Sequence, residues 1–206
     1  GGSRPGRIAL AVALALLLGV AAPASAVEVD AVPANPKKLL EKAYAGGVPM
    51  GGVLSPRPKD GKAPVFVVTA QRDPGIPEHP GGLLQRAQVI KGWVEDGQQH
   101  QRVWDVVCSS GRLPGADGRC PLTTAGVDPE SCELTGKEGA TQLETTFSDP
   151  DFSTGQPAFF YVRVLENPTC RWSTWDAVRA GIAPRPDLPT TVQERAWSSP
   201  IHYLPE

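Results

Sequence analysis

The densest run of groups able to do chemistry is Glu166-Asn167-Pro168-Thr169-Cys170-Arg171-Trp172-Ser173-Thr174-Trp175. A carboxylate, a guanidinium and two indoles so close together can hold an anion, stack on a sugar face or bind a flat ligand. The same groups can also pack over a sheet edge, with Arg171 paired to Glu166 and Cys170 in a disulfide. Glu166, Arg171, Trp172 and Trp175 are the candidate binding residues. A second acidic feature is Asp149-Pro150-Asp151. Two carboxylates at that spacing suit Ca²⁺ or half of an acid–base pair, although an Asp-Pro dipeptide usually forms a turn closed by Asx hydrogen bonds. An enzyme built on Asp149, Asp151, Glu166 and Arg171 would still lack a positioned base or nucleophile.

Other routes to catalysis find no support. The sequence has no Gly-x-Ser-x-Gly elbow, no phosphate-binding loop of the Walker type and no His-Glu-x-x-His. His79, His100 and His202 are the only histidines, one in a Pro/Gly loop and two in or beside expected strands. Scattered histidines of this kind are usually surface or hydrogen-bonded residues rather than a metal cage. No catalytic residue, metal ligand or cofactor is assigned.

The first twenty-six residues read as an address. Arg4 and Arg7 precede an apolar run from Ile8 to Val20, and Ala24-Ser25-Ala26 follows. That order is the basic region, apolar core and small-x-small cleavage site of a secretory signal. The apolar run is roughly 13–15 residues, shorter than the ~20 a membrane-spanning helix needs. Cleavage after Ala26 is expected to yield an exported chain beginning near Val27, periplasmic or extracellular, with no membrane attachment. The formal charge of −2 would become −4 as Arg4 and Arg7 leave, which gives no electrostatic case for nucleic acid or anionic lipid as partner.

Export changes the reading of the cysteines. Cys108, Cys120, Cys132 and Cys170 form an even set, so two disulfides are expected rather than zinc, for which there is no Cys-x-x-Cys pair and no nearby His. Three pairings are possible. Cys108–Cys120 is favoured because it closes a Gly/Pro/Asp-rich loop, a gain of roughly 3 kcal/mol in the chain-entropy model. Cys132–Cys170 would then tie that region to a later strand end.

These features sit on elements that read as mostly β. Gly and Pro, at 22 each of 206 residues, fit short strands joined by many turns. Asn35-Pro36 opens a helix with Leu39, Leu40, Ala43 and Tyr44 on one stripe, ended by Gly46-Gly47. Residues 48–62 are connector, and 65–70 form a strand that is apolar on both faces. A hairpin follows, with strands at 86–94 and 100–107 around Asp96-Gly97, and with Ala87, Val89 and Trp93 on one face. Residues 108–133 are rich in turns. Ala140, Leu143 and Phe147 have helical spacing. Residues 158–165 form a strand with Phe160, Val162 and Val164 inward. Ser173 or Thr174 caps a short helix ending at Gly181, and a last strand spans 193–203, broken near Pro200. Trp93, Trp104 and Trp197 lie on strands and are expected to pack between sheets. Strands with hairpin links and brief helices, without βαβ alternation, predict an antiparallel sandwich.

Several long segments together resemble one bacterial family, the domain of unknown function 3604. They are Gly47-Val48-Pro49-Met50-Gly51-Gly52, Ala63-Pro64-Val65-Phe66-Val67-Val68 and Leu84-Gln85-Arg86-Ala87-Gln88-Val89-Ile90-Lys91-Gly92-Trp93-Val94. The strand running from Phe159 through Glu166-Asn167-Pro168-Thr169-Cys170-Arg171-Trp172-Ser173-Thr174, and the terminal Gln193-Glu194-Arg195-Ala196-Trp197-Ser198-Ser199-Pro200-Ile201, complete the likeness. The resemblance runs from about Leu39 to Tyr203. It implies kinship with metal-dependent phosphoesterases of the PHP type, whose metal ligands lie in a larger N-terminal region. This sequence resembles only their C-terminal portion, so no ligand position carries over.

Related hydrolases have an Ig-like β-sandwich at this end. The expected fold is therefore mainly β, an antiparallel Ig-like β-sandwich with a few short helices and long disulfide-tied loops. Residues 1–26 would be the signal peptide, 27–62 the N-terminal helix and connector, and 63–206 the sandwich. The expected role is an exported non-catalytic module, stand-alone or truncated, that completes or covers an active site on a separate catalytic chain of the same family. The alternative is a secreted carbohydrate- or anion-binding module using the Trp/Arg loop.

Overall fold

The computed structural model describes residues 16–18, 47–54, 62–77 and 80–205. Most of the segment expected to be a signal, the helix expected to open at Asn35-Pro36, and His79 lie outside the described residues.

Two sheets face each other. The first holds Gly47–Val48 (β2), Leu16–Leu18 (β1), Val65–Gln71 (β4) and Gln142–Ser148 (β9), in that spatial order. Leu16–Leu18, inside the apolar run of the expected signal, pair antiparallel with Val65–Val67. The second sheet runs Val53–Leu54 (β3), Ile201–Tyr203 (β14), Ala158–Glu166 (β10), Leu84–Glu95 (β5) and Gln98–Cys108 (β6). Arg195–Trp197 (β13) shares the outer edge of β10 with β14. Two small ribbons, Gly126–Val127 (β7) with Leu134–Thr135 (β8) and Thr169–Cys170 (β11) with Thr191–Val192 (β12), dress the loops. The fold is thus a mainly β sandwich. Pairing is antiparallel throughout apart from β14 with β3, which run parallel.

The hairpin forms where its pattern and turn demand. Asp96 and Gly97 both take positive φ, as a two-residue turn between twisted strands requires. Ala87 and Val89 of β5, and Phe160, Val162 and Val164 of β10, then face Phe66, Val68 and Ala70 of β4 and Leu143 of β9. Phe66 meets Phe160 at 4.6 Å and Trp104 meets Phe147 at 5.1 Å between ring centroids, which joins the two sheets. Cys108 is bonded to Cys120 and Cys132 to Cys170, the favoured pairing.

Three expectations need correction. The segment with helical spacing at Ala140, Leu143 and Phe147 is strand β9, paired along its length with β4 from Gln71↔Gln142 to Val65↔Ser148. Leu143 and Phe147 are an even number of residues apart, so they share a strand face as readily as a helix face, and β-branched Thr145-Thr146 favours the strand. The described residues contain one α-helix, Trp172–Ala180 (α1), whose N-cap position is Arg171 rather than Ser173 or Thr174 and which has no side-chain cap. Thr174 is consumed elsewhere, its hydroxyl donating to the Thr190 carbonyl at 2.8 Å. Gly181 ends α1 in the left-handed conformation, as expected. Trp197 points outward and is 56% exposed, whereas Trp104 is buried and Trp93 packs against the core.

One charged pair is sealed inside the sandwich. Lys91 of β5 donates to Asp149 Oδ2 at 2.6 Å and to the Asp151 carbonyl at 3.2 Å. Its ammonium also lies 5.1 Å from the Trp93 ring centre. Asp149 Oδ1 accepts the Asp151 N–H at 2.9 Å, the Asx turn expected of this dipeptide. Removing one partner of such a pair strands the other in low dielectric. Lys91→Met is expected to lose about 3–5 kcal/mol in urea unfolding. Lys91→Met combined with Asp149→Asn should recover at least half of that, and an equal loss in both proteins would show that the pair does not hold this connection.

Candidate functional site

Strand β10 ends in a register shift between Leu165 and Glu166, which sets Glu166 opposite Leu84. The shift brings the Glu166 side chain against the Gly81-Gly82 turn. A Cβ at Gly82 would sit 2.3 Å from Glu166 Oε2, so only glycine lets the carboxyl lie there. Glu166 is 9% exposed. Its backbone is held on both sides, since its N–H donates to the Glu194 carbonyl at 3.0 Å and its own carbonyl accepts from Gln193 Nε2 at 2.9 Å. Gln193 Nε2 also donates to Gln85 Oε1 at 3.0 Å. Asn167 closes the end of the sandwich through its N–H to the Leu83 carbonyl and its Nδ2 to the Glu138 carbonyl at 2.7 Å. Asn167 Oδ1 is buried without a hydrogen-bond donor.

Burial pushes the Glu166 carboxyl up to about 7, and the nearby carboxylates of Glu194 and Asp73 add to the rise. A group tuned there exchanges a proton near neutral pH, the chemistry of a general acid or of a pH-sensitive contact. No group of three or more His, Cys, Asp or Glu side chains suited to a metal ion occurs among the described residues.

The other candidate residues lie past β11. Arg171 stands at the N-cap position of α1 without a side-chain cap, and its Nε is buried without a hydrogen-bond partner. Trp172 is 64% and Trp175 37% exposed, one helical turn apart on the same face. Arg179 stacks on Trp175 at 5.3 Å. The disulfide at Cys170 and the Thr174–Thr190 hydrogen bond hold the helix in place. Behind it, Pro129, Glu130, Val178, Gly181, Ile182, Pro184 and Thr190 line an open cleft of about 410 Å³. Among the described residues, no hydrogen bond, ion pair or ring contact joins Glu166 to Arg171, Trp172 or Trp175. The sequence run therefore divides into a buried carboxyl at the sandwich end and an aromatic helix beside it. Asp151 pairs with exposed Arg102, so the two aspartates of the Asp-Pro turn serve different cations. His100 stacks on Trp93 and His202 lies against Phe159.

The model of a family described as protein of unknown function (DUF3604) matches residues 25–205. The chain belongs to the DUF3604 family. No curated protein and no solved structure matches it. The motifs that carried the resemblance fall together in the DUF3604 chain, with Leu84-Gln85-Arg86, Glu166-Asn167 and Gln193-Glu194 meeting at one end of the second sheet. Sequence reasoning missed Gln85, Gln193, Glu194, Asp73 and Lys91. The Gly81-Gly82 doublet was the available signal, because paired glycines before a strand permit a close side-chain approach.

The native Glu166 keeps its proton up to about pH 7, whereas its ordinary value is 4.5. Between those values folding takes up a proton, so stability falls as pH rises through that window and levels off above it. Glu166→Gln is expected to remove that slope. In urea unfolding, its stability relative to the parent should improve by roughly 1–3 kcal/mol between about pH 4.5 and pH 8. A difference that does not change with pH would contradict the assignment.

Proposed function

We propose that this DUF3604 chain is an exported, non-catalytic β-sandwich module that docks on a partner, a separate catalytic chain of its family. The observation that carries the reading is the presentation of Trp172 and Trp175. Two exposed indoles stand on one face of a helix pinned by a disulfide and capped at Gly181. Large aromatic groups held rigid at a surface lose little freedom on binding and are the usual anchors of an interface.

Export is supported by two disulfides, which persist in oxidising compartments. Among the described residues no helix is long and apolar enough to cross a membrane. The family match begins at residue 25, beside the expected cleavage after Ala26. Two buried carboxylates of the sandwich hold loops to strands, Asp149 through Lys91 and Asp105 through the Cys120 N–H. That use favours a scaffold over a reacting centre.

The purified mature chain is expected to show no Mn²⁺- or Zn²⁺-dependent phosphoesterase turnover. It should bind a metal-binding chain of its family in calorimetry, and Trp172→Ala with Trp175→Ala should weaken that binding at least about tenfold. Metal-dependent turnover that persists through repeated purification would overturn the non-catalytic role. Binding unaffected by the double substitution would overturn the docking face.

A further inference from the structure

The outer face of the second sheet carries a compact set of arginines, one of which, Arg86, donates from Nη1 to Gln85 Oε1 at the edge of the Glu166 network. Across β13, β10, β5 and β6, Trp197, Arg163, Gln88 and Asp105 stand directly opposite one another. The next row places Arg195, Leu165 and Arg86 side by side. Side chains two residues apart on a strand share a face, so Arg86, Arg163, Arg195 and Trp197 all project from the same surface. Arg119 reaches it from the loop closed by Cys108–Cys120, its guanidinium 3.8 Å from Asp105 Oδ1.

Asp105 is the one carboxylate among the charges that act on Arg86, and its oxygens are already occupied. Oδ1 accepts from Gln88 Nε2 at 2.5 Å, and Oδ2 accepts the Cys120 N–H at 2.7 Å. Arg86 Nε lies 3.6 Å from Oδ2, too far for a hydrogen bond, and is buried with no acceptor. Arg163 spends its Nε on Gln88 Oε1 at 2.7 Å, which aims the rest of its guanidinium along the face. The Arg195 guanidinium is exposed and makes no hydrogen bond or ion pair with the described residues. Burial holds the Arg86 guanidinium below its ordinary value against the opposing pull of Asp105, and the charges of Arg163, Arg119 and Arg195 lower it further. In a chain of formal charge −2, four guanidinium groups around one saturated carboxylate leave a local positive excess.

We infer that this face binds the oxyanion of an acidic sugar, with Arg86, Arg163 and Arg195 on the anion and Trp197 under the ring. Guanidinium forks match carboxylate, sulfate and phosphate geometry and form charge-assisted hydrogen bonds. An indole exposed beside them offers an apolar platform about one strand spacing away. The patch spans only three strands, roughly 10 Å, which suits one anionic group and its ring rather than a long polyanion. The residues it uses are independent of Trp172 and Trp175, so the two surfaces stand or fall separately.

The test is a fluorescence and calorimetric titration of the full chain with glucuronate, glucose 6-phosphate and glucose 6-sulfate. Neutral glucose, inorganic phosphate, phosphatidylserine vesicles and a DNA duplex serve as comparisons. At least one acidic sugar is expected to bind in a salt-sensitive manner and more tightly than glucose or phosphate alone. Arg195→Ala and Trp197→Ala, both at exposed positions, should each weaken it about tenfold while circular dichroism stays unchanged. Trp172→Ala with Trp175→Ala should leave it intact. The proposal is overturned by no binding of any acidic sugar, by binding that survives both substitutions, or by tighter binding of vesicles or DNA.

Discussion

Lys91 sits midway along β5, the strand flanked by β10 and β6, and its side chain enters the space between the two sheets. An ammonium there is tolerable only with a counter-charge at contact distance, because the isolated ion would cost several kcal/mol in that medium. Asp149 supplies it from the connection between β9 and β10, where the chain crosses from one sheet to the other. The crossing is therefore fixed at a point rather than left to general apolar attraction. Phe152 and Tyr203 pack 5.0 Å apart just beyond it, and the Tyr203 hydroxyl donates to the Thr154 carbonyl. The last strand is thereby anchored to the same connection. With β10 so placed, its far end delivers Glu166 to the Gly81-Gly82 turn and leaves Arg163 on the opposite face.

Much of this was legible where a local rule and burial agree. The hairpin around Asp96-Gly97, the inward set of Phe160, Val162 and Val164, and the break of the final strand near Pro200 followed from alternation and turn chemistry. Cys108–Cys120 followed from loop composition, and Cys132–Cys170 was the pair then left to tie that region to a later strand end. Strand β9 was misread because Leu143 and Phe147 satisfy two periods at once, and only pairing with β4 decides between them. Trp197 was misplaced because alternation puts neighbouring strand positions on opposite faces, and its register with Arg163 is a long-range fact.

The candidate site was harder to foresee for the same reason. Glu166 was visible as a polar residue ending an apolar strand, but the groups that perturb it come from distant segments. Asp73 precedes it by most of the sheet, and Glu194 follows after the whole excursion through α1. The Arg86, Arg163 and Arg195 set is likewise scattered in sequence and assembled only by strand order β13-β10-β5. A cluster built by non-local pairing has no short motif to announce it. The aromatic helix was the reverse case, since Trp172 and Trp175 are close in sequence and remain close in space.

The two sulfur bridges join neighbours in order of appearance, first Cys108 with Cys120, then Cys132 with Cys170. Were the polypeptide delivered head-first into an oxidising space, as proposed, each thiol would meet its rightful mate before any competitor arrives. Correct covalent closure would then need only an oxidant, and the order of arrival would take the place of a proofreading step.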